Sequence, residues 1–320
     1  MSTLPISVVT GFLGSGKTTL LSHVLRDPAA ARTAVIVNEF GEVGLDHLLV
    51  EASDEEIVLL DGGCLCCKVR GDLVRTAGDL LARRASGAIT PFERIVVETT
   101  GLADPAPILQ ALMTDREIAD ALRLESVIAT VDCAAGGATL DAHPEAVKQA
   151  ALADRLVLTK TDLADPGHLA ERLRRLNPAA PQLTALHGAV DASRLFGAPY
   201  NRRLFDLHEA SHESDVSSFC LRRTAPLHAV TLSLFLQVLA EHCGASLLRL
   251  KGLVDVVESP GRPAVIHGVQ HVFHPPAWLD AWPDEDHSTR IVVISRGLEA
   301  EWLQDLLEVL DDEVKACSIS

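Results

Sequence analysis

The sequence predicts an α/β protein with a first domain built on a mostly parallel sheet and a smaller α+β second domain. Three observations support this fold class. Short apolar runs alternate with amphipathic helical stretches through the first half of the chain, and a glycine-rich loop follows the first run. Near residue 187 a polar segment with weak periodicity begins, and the order of elements then changes. Apolar strands alternating with helices indicate a parallel sheet covered on both faces.

The apolar runs of the first domain are short and partly β-branched, which is typical of buried strands. We predict strands at residues 6–10, 33–37, 57–60, 94–97, 126–131 and 155–158. Helical apolar spacing follows the glycine-rich loop in the stretch TLLSHVLR, and it recurs over residues 69–85. We therefore assign residues 1–190 to the first domain.

The rest of the chain is divided into a linker at residues 191–216 and a second domain at residues 217–320. The second domain is predicted to start with a strand, followed by a helix. This helix is predicted at about 227–242. It is followed by strand-like runs at 246–258 and 263–274, the strand RIVVIS and the terminal helix EAEWLQDLLEVL. This order predicts an α+β fold.

Composition narrows the class of function. The formal net charge of −16 disfavours nonspecific binding to nucleic acid or to an anionic membrane. No apolar stretch is long enough for a membrane span, and no basic region precedes the N-terminal apolar run, so neither a membrane protein nor a signal peptide is predicted. We expect a cytoplasmic protein whose seven cysteines meet a reducing compartment. Clustered cysteines there are more often metal ligands or redox groups than disulfides.

The glycine-rich loop GFLGSGKT fits the pattern G-x-x-x-x-G-K-[ST], with a strand before it and a helix after it. Its glycines let successive N–H groups point at phosphates, and the helix N-terminus adds positive potential. Lys17 is predicted to bridge the β- and γ-phosphates, and the Thr18 hydroxyl is predicted to bind Mg²⁺. The predicted phosphate-binding residues are Gly11, Gly14, Ser15, Gly16, Lys17, Thr18 and Thr19. The first domain is thus predicted to be a P-loop NTPase.

A second Mg²⁺ ligand is predicted in the segment RIVVETTGLADP, where Glu98 ends a strand. The spacing from Glu98 to Gly101 resembles the third GTPase motif, and the Gly101 N–H is placed to contact a γ-phosphate. The predicted catalytic set is therefore Lys17, Thr18 and Glu98. The alternative is that Glu98 is a surface acid at a strand end. A glutamine that polarises water often follows the glycine, but Leu102 stands there, so the sequence names no residue that positions water.

The segment RLVLTKTDL resembles the guanine-reading motif N/T-K-x-D. Asp162 would accept hydrogen bonds from guanine N1–H and the exocyclic amine, which adenine cannot match. Lys160 would lie along the base and ribose. Thr159 stands where asparagine is more frequent. We therefore predict GTP in preference to ATP.

Cys64, Cys66 and Cys67 fall within four positions of the segment LLDGGCLCCKV. Thiolates are soft ligands that suit zinc and copper(I) and accept cobalt and nickel. A tetrahedral site needs a fourth ligand, for which Glu39, Glu42, a water or an incoming ligand are the candidates. An open fourth place predicts exchangeable metal, with Zn²⁺ as the default and Co²⁺ as the second choice. A redox pair of vicinal thiols is the competing interpretation.

The remaining cysteines and histidines receive no metal site. Core packing is predicted for Cys133, Cys220 and Cys243, and no role for Cys317. His208 and His212 would share a face if residues 208–213 were helical, but solvated linker histidines are the favoured interpretation. The histidines of the second domain stay unassigned because their spacing does not keep them on one strand face: His267, His271 and His274.

The motifs GFLGSGKTTLL, VNEFGEVGLD, GGCLCC, VETTGLADP and TKTD occur in the order seen in CobW-type P-loop GTPases. The segments RLKGL, HGVQHVF and RIVVISR are similar to the CobW C-terminal domain. This resemblance implies a slow GTPase that binds a transition metal at C-x-C-C and delivers it to a client apo-metalloprotein. It also implies a nucleotide switch in the segment NEFGE and, by family analogy alone, a nucleotide-dependent homodimer.

Four functions therefore remain for the chain. The favoured one is a GTP-gated metallochaperone in which the γ-phosphate orders residues 38–42 and encloses the cysteine site. The second is a regulatory or assembly GTPase with a structural zinc site. The third is an ATP-using phosphotransferase, and the fourth is a thiol redox sensor.

Overall fold

The computed structural model describes residues 3–38, 57–60, 66–197, 211–213 and 215–318. It divides into two compact units. The first unit comprises Met1–Glu171 and Ala180–Pro199, and the second comprises Arg172–Ala179 and Tyr200–Ser320. Within the described part of the chain, no helix is long and apolar enough to cross a membrane.

A seven-stranded sheet forms the centre of the first unit, and all of its paired strands are parallel. Its order is β3-β2-β4-β1-β5-β6-β7. The strands are β1 (Leu4–Gly11), β2 (Thr33–Asn38), β3 (Ile57–Leu60), β4 (Arg94–Glu98), β5 (Leu122–Asp132), β6 (Arg155–Thr159) and β7 (Gln182–Ala185). The α/β fold class and all six predicted strands are confirmed. Strand β5 starts earlier than predicted, and β7 is additional.

Helices separate these strands along the chain. They are α1 (Lys17–Val24), α2 (Cys66–Ser86), α3 (Ala106–Thr114), α4 (Arg116–Ala119), α5 (Gly136–Ala142), α6 (Pro144–Leu152), α7 (Gly167–Leu176) and α8 (Ala192–Leu195). Buried Leu20 on α1 packs in one apolar cluster with Val9, Val96 and Ile128 of three neighbouring strands. This packing fixes the start of α1 at the carboxyl end of β1, where ligands bind in sheets of this kind.

An antiparallel sheet forms the second unit, in the order β12-β11-β10-β14-β9-β8, with β13 paired to β11. The strands are β8 (Ser211–Glu213), β9 (Val216–Arg223), β10 (Leu247–Val254), β11 (Ala264–Val269), β12 (Val272–Phe273), β13 (Ala277–Trp278) and β14 (Thr289–Arg296), and the helices are α9 (Ala229–His242) and α10 (Ala300–Ser318). Phe235 and Leu239 of α9 and Leu303 of α10 pack on buried Leu250 and Ile291 of the sheet. The predicted α+β fold is confirmed.

Two sequence expectations change in this unit. The run predicted at 263–274 is divided into β11 and β12 by a turn in which Gln270 has φ 54°. Residues 211–213 form a strand, so His212 does not lie in a helix, and His208 lies outside the described residues. The range predicted as a linker contains α8 and β8, and its residues 198–210 lie outside the described part. The domain boundaries themselves stay predictions.

Candidate nucleotide site and metal-binding segment

The phosphate-binding loop joins β1 to α1 and depends on left-handed backbone at Gly11, Gly14 and Gly16, whose φ values are 139°, 70° and 90°. A Cβ atom on Gly11 would lie 2.5 Å from the carbonyl oxygen of Thr130, so only glycine fits there. Lys17 Nζ donates hydrogen bonds to the carbonyl oxygens of Gly11 at 2.9 Å and Phe12 at 3.1 Å. These two hydrogen bonds hold the ammonium group of Lys17 against the backbone of the phosphate-binding loop.

Two neighbouring strands fix the middle of this loop through Ser15. The Ser15 and Thr130 hydroxyls are hydrogen-bonded at 2.7 Å, and the Thr159 hydroxyl donates to the Ser15 carbonyl oxygen at 2.7 Å. Thr159 is the residue that departs from the more frequent asparagine of the guanine motif. Its hydroxyl joins the end of β6 to the phosphate loop, a contact that the sequence motif alone does not reveal.

The predicted Mg²⁺ ligands lie next to each other. Thr18 Oγ1 donates to Glu98 Oε1 at 2.8 Å, and Glu98 is only 6% exposed at the end of β4. Strand β4 pairs with β1 so that Val9 is opposite Glu98. A hydroxyl and a carboxylate at hydrogen-bond distance are the hard oxygen donors that Mg²⁺ prefers, so these residues fit the ion.

The segment after Glu98 is held against the phosphate loop. A Cβ atom on Gly101 would lie 2.5 Å from Leu13 N, so the close approach of the two backbones requires glycine. From α6, Gln149 Nε2 donates to the carbonyl oxygens of Gly101 and Ala103, both at 3.0 Å. Gln149 is 1% exposed. Gln149 could not be predicted from a local motif, because it lies 48 residues from Gly101.

Lys148, the residue before Gln149, forms an ion pair with Asp104, and its Nζ lies 2.5 Å from Asp104 Oδ2. Leu102, which follows Gly101, is apolar and 56% exposed. Phe12 of the phosphate loop stacks on His143, which immediately precedes α6, with ring centroids 4.3 Å apart. Helix α6 therefore contacts the Gly101 segment through Gln149, and His143, the residue just before α6, contacts the phosphate loop.

In the guanine motif, Lys160 has left-handed backbone with φ 55°, and its Nζ lies 2.6 Å from Asp132 Oδ2. Asp132 ends β5, and its other carboxylate oxygen accepts from Ala134 N at 2.7 Å. Asp162 is exposed. The ion pair fixes Lys160 beside the strand end. Asp132 was not predicted to belong to the site. The sequence feature that could have identified it is its position as an acidic residue at the end of β5, the strand next to β6.

The metal-binding prediction falls mostly outside the described residues. Glu39, Glu42 and Cys64 lie there, whereas Cys66 and Cys67 are the first two residues of α2. Among the residues that the structure does describe, no group of three or more His, Cys, Asp or Glu could hold a metal ion. The proposed cysteine site therefore stays a prediction.

The described backbone shows where the strands before these predicted metal ligands end. Strand β2 ends at Asn38, just before Glu39, and β3 ends at Leu60, four residues before Cys64. Asn38 pairs with Leu60, and Val37 pairs with Glu98. Strands β2 and β3 therefore end at the same side of the sheet as β4, which ends at Glu98.

The other cysteines behave as core residues. Burial raises the pKa of the Cys133 thiol, with smaller contributions from the charges of Asp132 and Asp165. Burial also raises the pKa of Cys243, and it raises that of Cys220 to about 11. All three stay protonated near neutral pH and are poor metal ligands.

A parallel sheet, a glycine-rich loop between β1 and α1, and an acid beside the loop threonine define a P-loop nucleoside triphosphatase. The chain belongs to the CobW/HypB/UreG family, whose nucleotide-binding domain model matches residues 5–184. The model of the cobalamin synthesis protein CobW C-terminal domain matches residues 216–310. The predicted CobW-type family is thus confirmed for both parts of the chain.

Named relatives are similar over nearly the whole chain. The zinc chaperone YjiA of Escherichia coli is 35% identical, and the match covers 92% of this chain and 94% of YjiA. The zinc chaperone CobW of Pseudomonas aeruginosa is 33% identical, with 93% and 89% covered. The crystal structure of Zn(II)-bound YjiA GTPase from E. coli superposes with a TM-score of 0.72 at 29% identity, covering 97% of this chain and 99% of that one.

Proposed function

We propose that this protein is a GTPase metallochaperone that binds a transition metal and delivers it to a client apo-metalloprotein under nucleotide control. Zinc is the first candidate metal, because the two curated relatives are named zinc chaperones and the similar crystal structure is Zn(II)-bound. Cobalt is the second candidate. The proposed metal ligands are Cys64, Cys66 and Cys67. The candidates for the fourth ligand are Glu39, Glu42, a water or an incoming ligand.

The observation that supports this proposal is the shared side of the sheet at which β2, β3 and β4 end. Glu98 contacts Thr18 of the phosphate loop, and β2 and β3 end beside β4 at the same edge. Adjacent strands lie about 5 Å apart, so the chain leaves β3 toward Cys64 only about 10 Å from the end of β4. A rearrangement at the γ-phosphate therefore has a short path to the metal-binding segments.

The nucleotide chemistry follows from the described residues. Lys17 binds the β- and γ-phosphate oxygens, and the Gly101 N–H binds the γ-phosphate from the opposite side. Thr18 and Glu98 hold Mg²⁺, which neutralises charge on the phosphates. Asp162 reads guanine, while its neighbour Lys160 is fixed by Asp132. The Gly101 segment stays against the phosphate loop because Gln149 holds its carbonyl oxygens.

Coupling to the metal requires that the γ-phosphate change the Asn38–Glu42 segment. By linkage, if GTP increases the affinity for metal by some factor, metal must increase the affinity for GTP by the same factor. Hydrolysis then lowers the affinity for the metal and releases it to the client. A nucleotide-dependent homodimer remains a further proposal that rests on family analogy.

The test is a zinc titration of the wild-type protein with GDP and with a non-hydrolysable GTP analogue, using a competing chelator as the indicator. We expect tighter zinc binding with the analogue, and the reciprocal shift in analogue affinity when zinc is present. Equal zinc affinity in the two nucleotide states would contradict the coupling. Repeating the titration with Co²⁺ tests the choice of metal.

Two cysteine variants locate the metal site. Replacing Cys64, Cys66 and Cys67 together by serine should abolish stoichiometric zinc while GTP binding is kept. The Cys317→Ser variant is the matched control, because Cys317 is a free, exposed cysteine far along the chain. Loss of folding in the triple variant would instead favour a structural zinc site. A disulfide within the cluster, without bound metal, would favour the redox sensor.

A further inference from the structure

The hydroxyl of Thr100 is a buried polar group without a hydrogen-bond partner among the described groups. Thr100 is 8% exposed. Its neighbour Thr99 differs, because the Thr99 hydroxyl donates to Thr10 Oγ1 at 2.9 Å. A buried hydroxyl that makes no hydrogen bond is costly to the fold, so such a group in a native protein indicates an ordered water or a ligand.

Thr100 lies between two residues that both contact the phosphate loop. Glu98 accepts from the Thr18 hydroxyl, and Gly101 approaches Leu13 N closely. Consecutive Cα atoms are about 3.8 Å apart, so Thr100 cannot lie far from the phosphates that this loop is built to bind. The backbone of Thr100 thus lies beside the phosphate loop, and its side chain is buried.

The position of Thr100 is fixed by its surroundings. The Thr100 carbonyl oxygen accepts from Ala103 N at 3.1 Å, which closes a turn. Gln149 holds the same turn through Gly101 and Ala103. Gln149 Oε1 is itself a second buried oxygen without a described partner. The turn that contains Thr100 and the side chain of Gln149, which holds this turn, therefore each carry a buried oxygen without a described hydrogen-bond partner.

We propose that the Thr100 hydroxyl is a catalytic contact at the terminal phosphate of GTP. This inference rests on the proposed GTPase function. The hydroxyl donates a hydrogen bond to a γ-phosphate oxygen, and its lone pairs accept a hydrogen bond from the attacking water. In the reaction, the water oxygen forms a bond to the γ-phosphorus, and the bond from that phosphorus to the β,γ-bridging oxygen breaks. GDP leaves, the water proton passes to phosphate, and Thr100 keeps its own proton.

This assignment supplies a residue that the motif leaves open. Leu102, which follows the motif glycine, has no polar side-chain atom. The Thr99 hydroxyl is used by Thr10, and Gln149 Nε2 is used by two carbonyl oxygens. A threonine also suits a neutral role, because its hydroxyl donates and accepts at once without a change of charge.

The test compares Thr100→Val, Thr100→Ser and the matched control Thr99→Val. Valine keeps the shape of threonine and removes only the hydroxyl. For each protein, thermal unfolding, the affinities for GDP and for a non-hydrolysable GTP analogue, and kcat and KM for GTP are measured. Should Thr100→Val fail to fold, Thr100→Ala serves the same comparison.

We expect Thr100→Val to unfold at the wild-type temperature or above, because no described hydrogen bond is lost. Its kcat/KM for GTP should fall about ten- to a hundredfold, as for a lost hydrogen bond to a charged group. GDP affinity should be unchanged, and Thr100→Ser should restore activity. Thr99→Val should lower the unfolding temperature and leave the ratio of analogue affinity to GDP affinity unchanged.

Wild-type kcat/KM together with a wild-type affinity ratio in Thr100→Val would overturn the inference. An equal loss of affinity for GDP and for the analogue would also overturn it, because it would show a general distortion of the loop. A fall in kcat/KM alone, or in the affinity ratio alone, supports the contact when serine restores it. If the wild-type protein does not hydrolyse GTP, the proposed function fails first, and the two failures are thereby distinguished.

Discussion

The Thr18 hydroxyl donates a hydrogen bond to Glu98 Oε1, and the two oxygens are 2.8 Å apart although 80 residues separate them in the sequence. This contact joins the first turn of α1 to the end of β4, two elements that meet because β4 pairs directly with β1. The pairing of β4 with β1 therefore brings the two oxygens together, where both can bind one cation. The charge of Glu98 is the part of this arrangement that mutation can test most cleanly.

In Glu98→Gln, the shape of the side chain is kept and the negative charge is removed. We expect GTP hydrolysis to fall about a hundredfold or more, because a carboxylate ligand to Mg²⁺ is lost at the transferring phosphate. Hydrolysis rates measured against Mg²⁺ concentration check this. Glu93→Gln is the control, because Glu93 lies in an exposed ion pair with Arg32. Equal Mg²⁺ dependence in wild type and Glu98→Gln would contradict the assignment.

Asp162→Asn tests the choice of base. If the Asp162 carboxylate hydrogen-bonds to guanine, removing its charge should cost about 1.5–3 kcal/mol of GTP binding, while ATP binding hardly changes. Competition binding with GTP and ATP measures both. Asp165→Asn is the matched control on the same loop, because Asp165 accepts from Gly167 N and asparagine caps helices as well. An unchanged preference in Asp162→Asn would favour the ATP-using alternative.

Gln149→Leu tests whether α6 holds the Gly101 segment. The change leaves the buried carbonyl oxygens of Gly101 and Ala103 without their described donor, which should cost about 1–3 kcal/mol of unfolding free energy. We also expect a higher KM for GTP. Lys148→Met is the control, because its partly exposed ion pair with Asp104 should contribute only about 0–1 kcal/mol. Urea denaturation of both variants makes the comparison, and equal losses would argue against the role of Gln149.

A buried basic cluster in the second unit predicts a pH dependence of stability. Lys251 on β10 is 7% exposed and pairs in register with His267 on β11. Burial lowers the pKa of Lys251 to about 7 and that of Arg249 to about 10. Burial, and then the charges of Lys251, Arg249 and His274, lower the pKa of His267 well below its usual value. Burial therefore disfavours the charged forms of Lys251 and Arg249, and their charges in turn disfavour the charged form of His267.

The sign of the effect follows from the lowered pKa of Lys251. Between about pH 7 and pH 10.5 the unfolded chain binds the lysine proton more strongly than the folded one, so stability rises with pH there. Below about pH 7 both states are protonated and the full penalty of burial applies. The slope from this one group is at most about 1.4 kcal/mol per pH unit.

Lys251→Met should therefore be more stable than wild type near pH 7, and the difference should shrink as the pH rises. Urea unfolding of both proteins at several pH values from about 6 to about 10 measures it. Lys315→Met, which removes a partly exposed lysine that pairs with Asp311, is the control for the change of net charge. A difference that does not vary with pH would contradict a lowered pKa for Lys251.

The sequence predicts those parts of the fold and site that depend on short, local sequence patterns. Six strands of the first sheet were recognisable because each is a short apolar run. Strand β7 was not, because it follows Pro181 and its buried residues alternate with a partly buried Gln182 and an exposed Thr184. Glu98 was found because it ends a strand within a known spacing. Asp132 and Gln149 were missed because their roles arise from contacts to residues 28 and 48 positions away. Thr100 stands inside a quoted motif, but only its burial without a partner distinguishes it from Thr99.

The two hydrogen bonds of Lys17 to Gly11 and Phe12 mean that nucleotide capture is an exchange of partners. Phosphate oxygens replace peptide oxygens that the ammonium group already holds, so the net enthalpy of each new bond is smaller than its gross strength. In return, the roughly 2 kcal/mol of rotamer entropy of a lysine is lost during folding and not during association. The ammonium group thus contributes to the cohesion of the isolated protein as well as to triphosphate affinity, and a substitution of Lys17 perturbs both together.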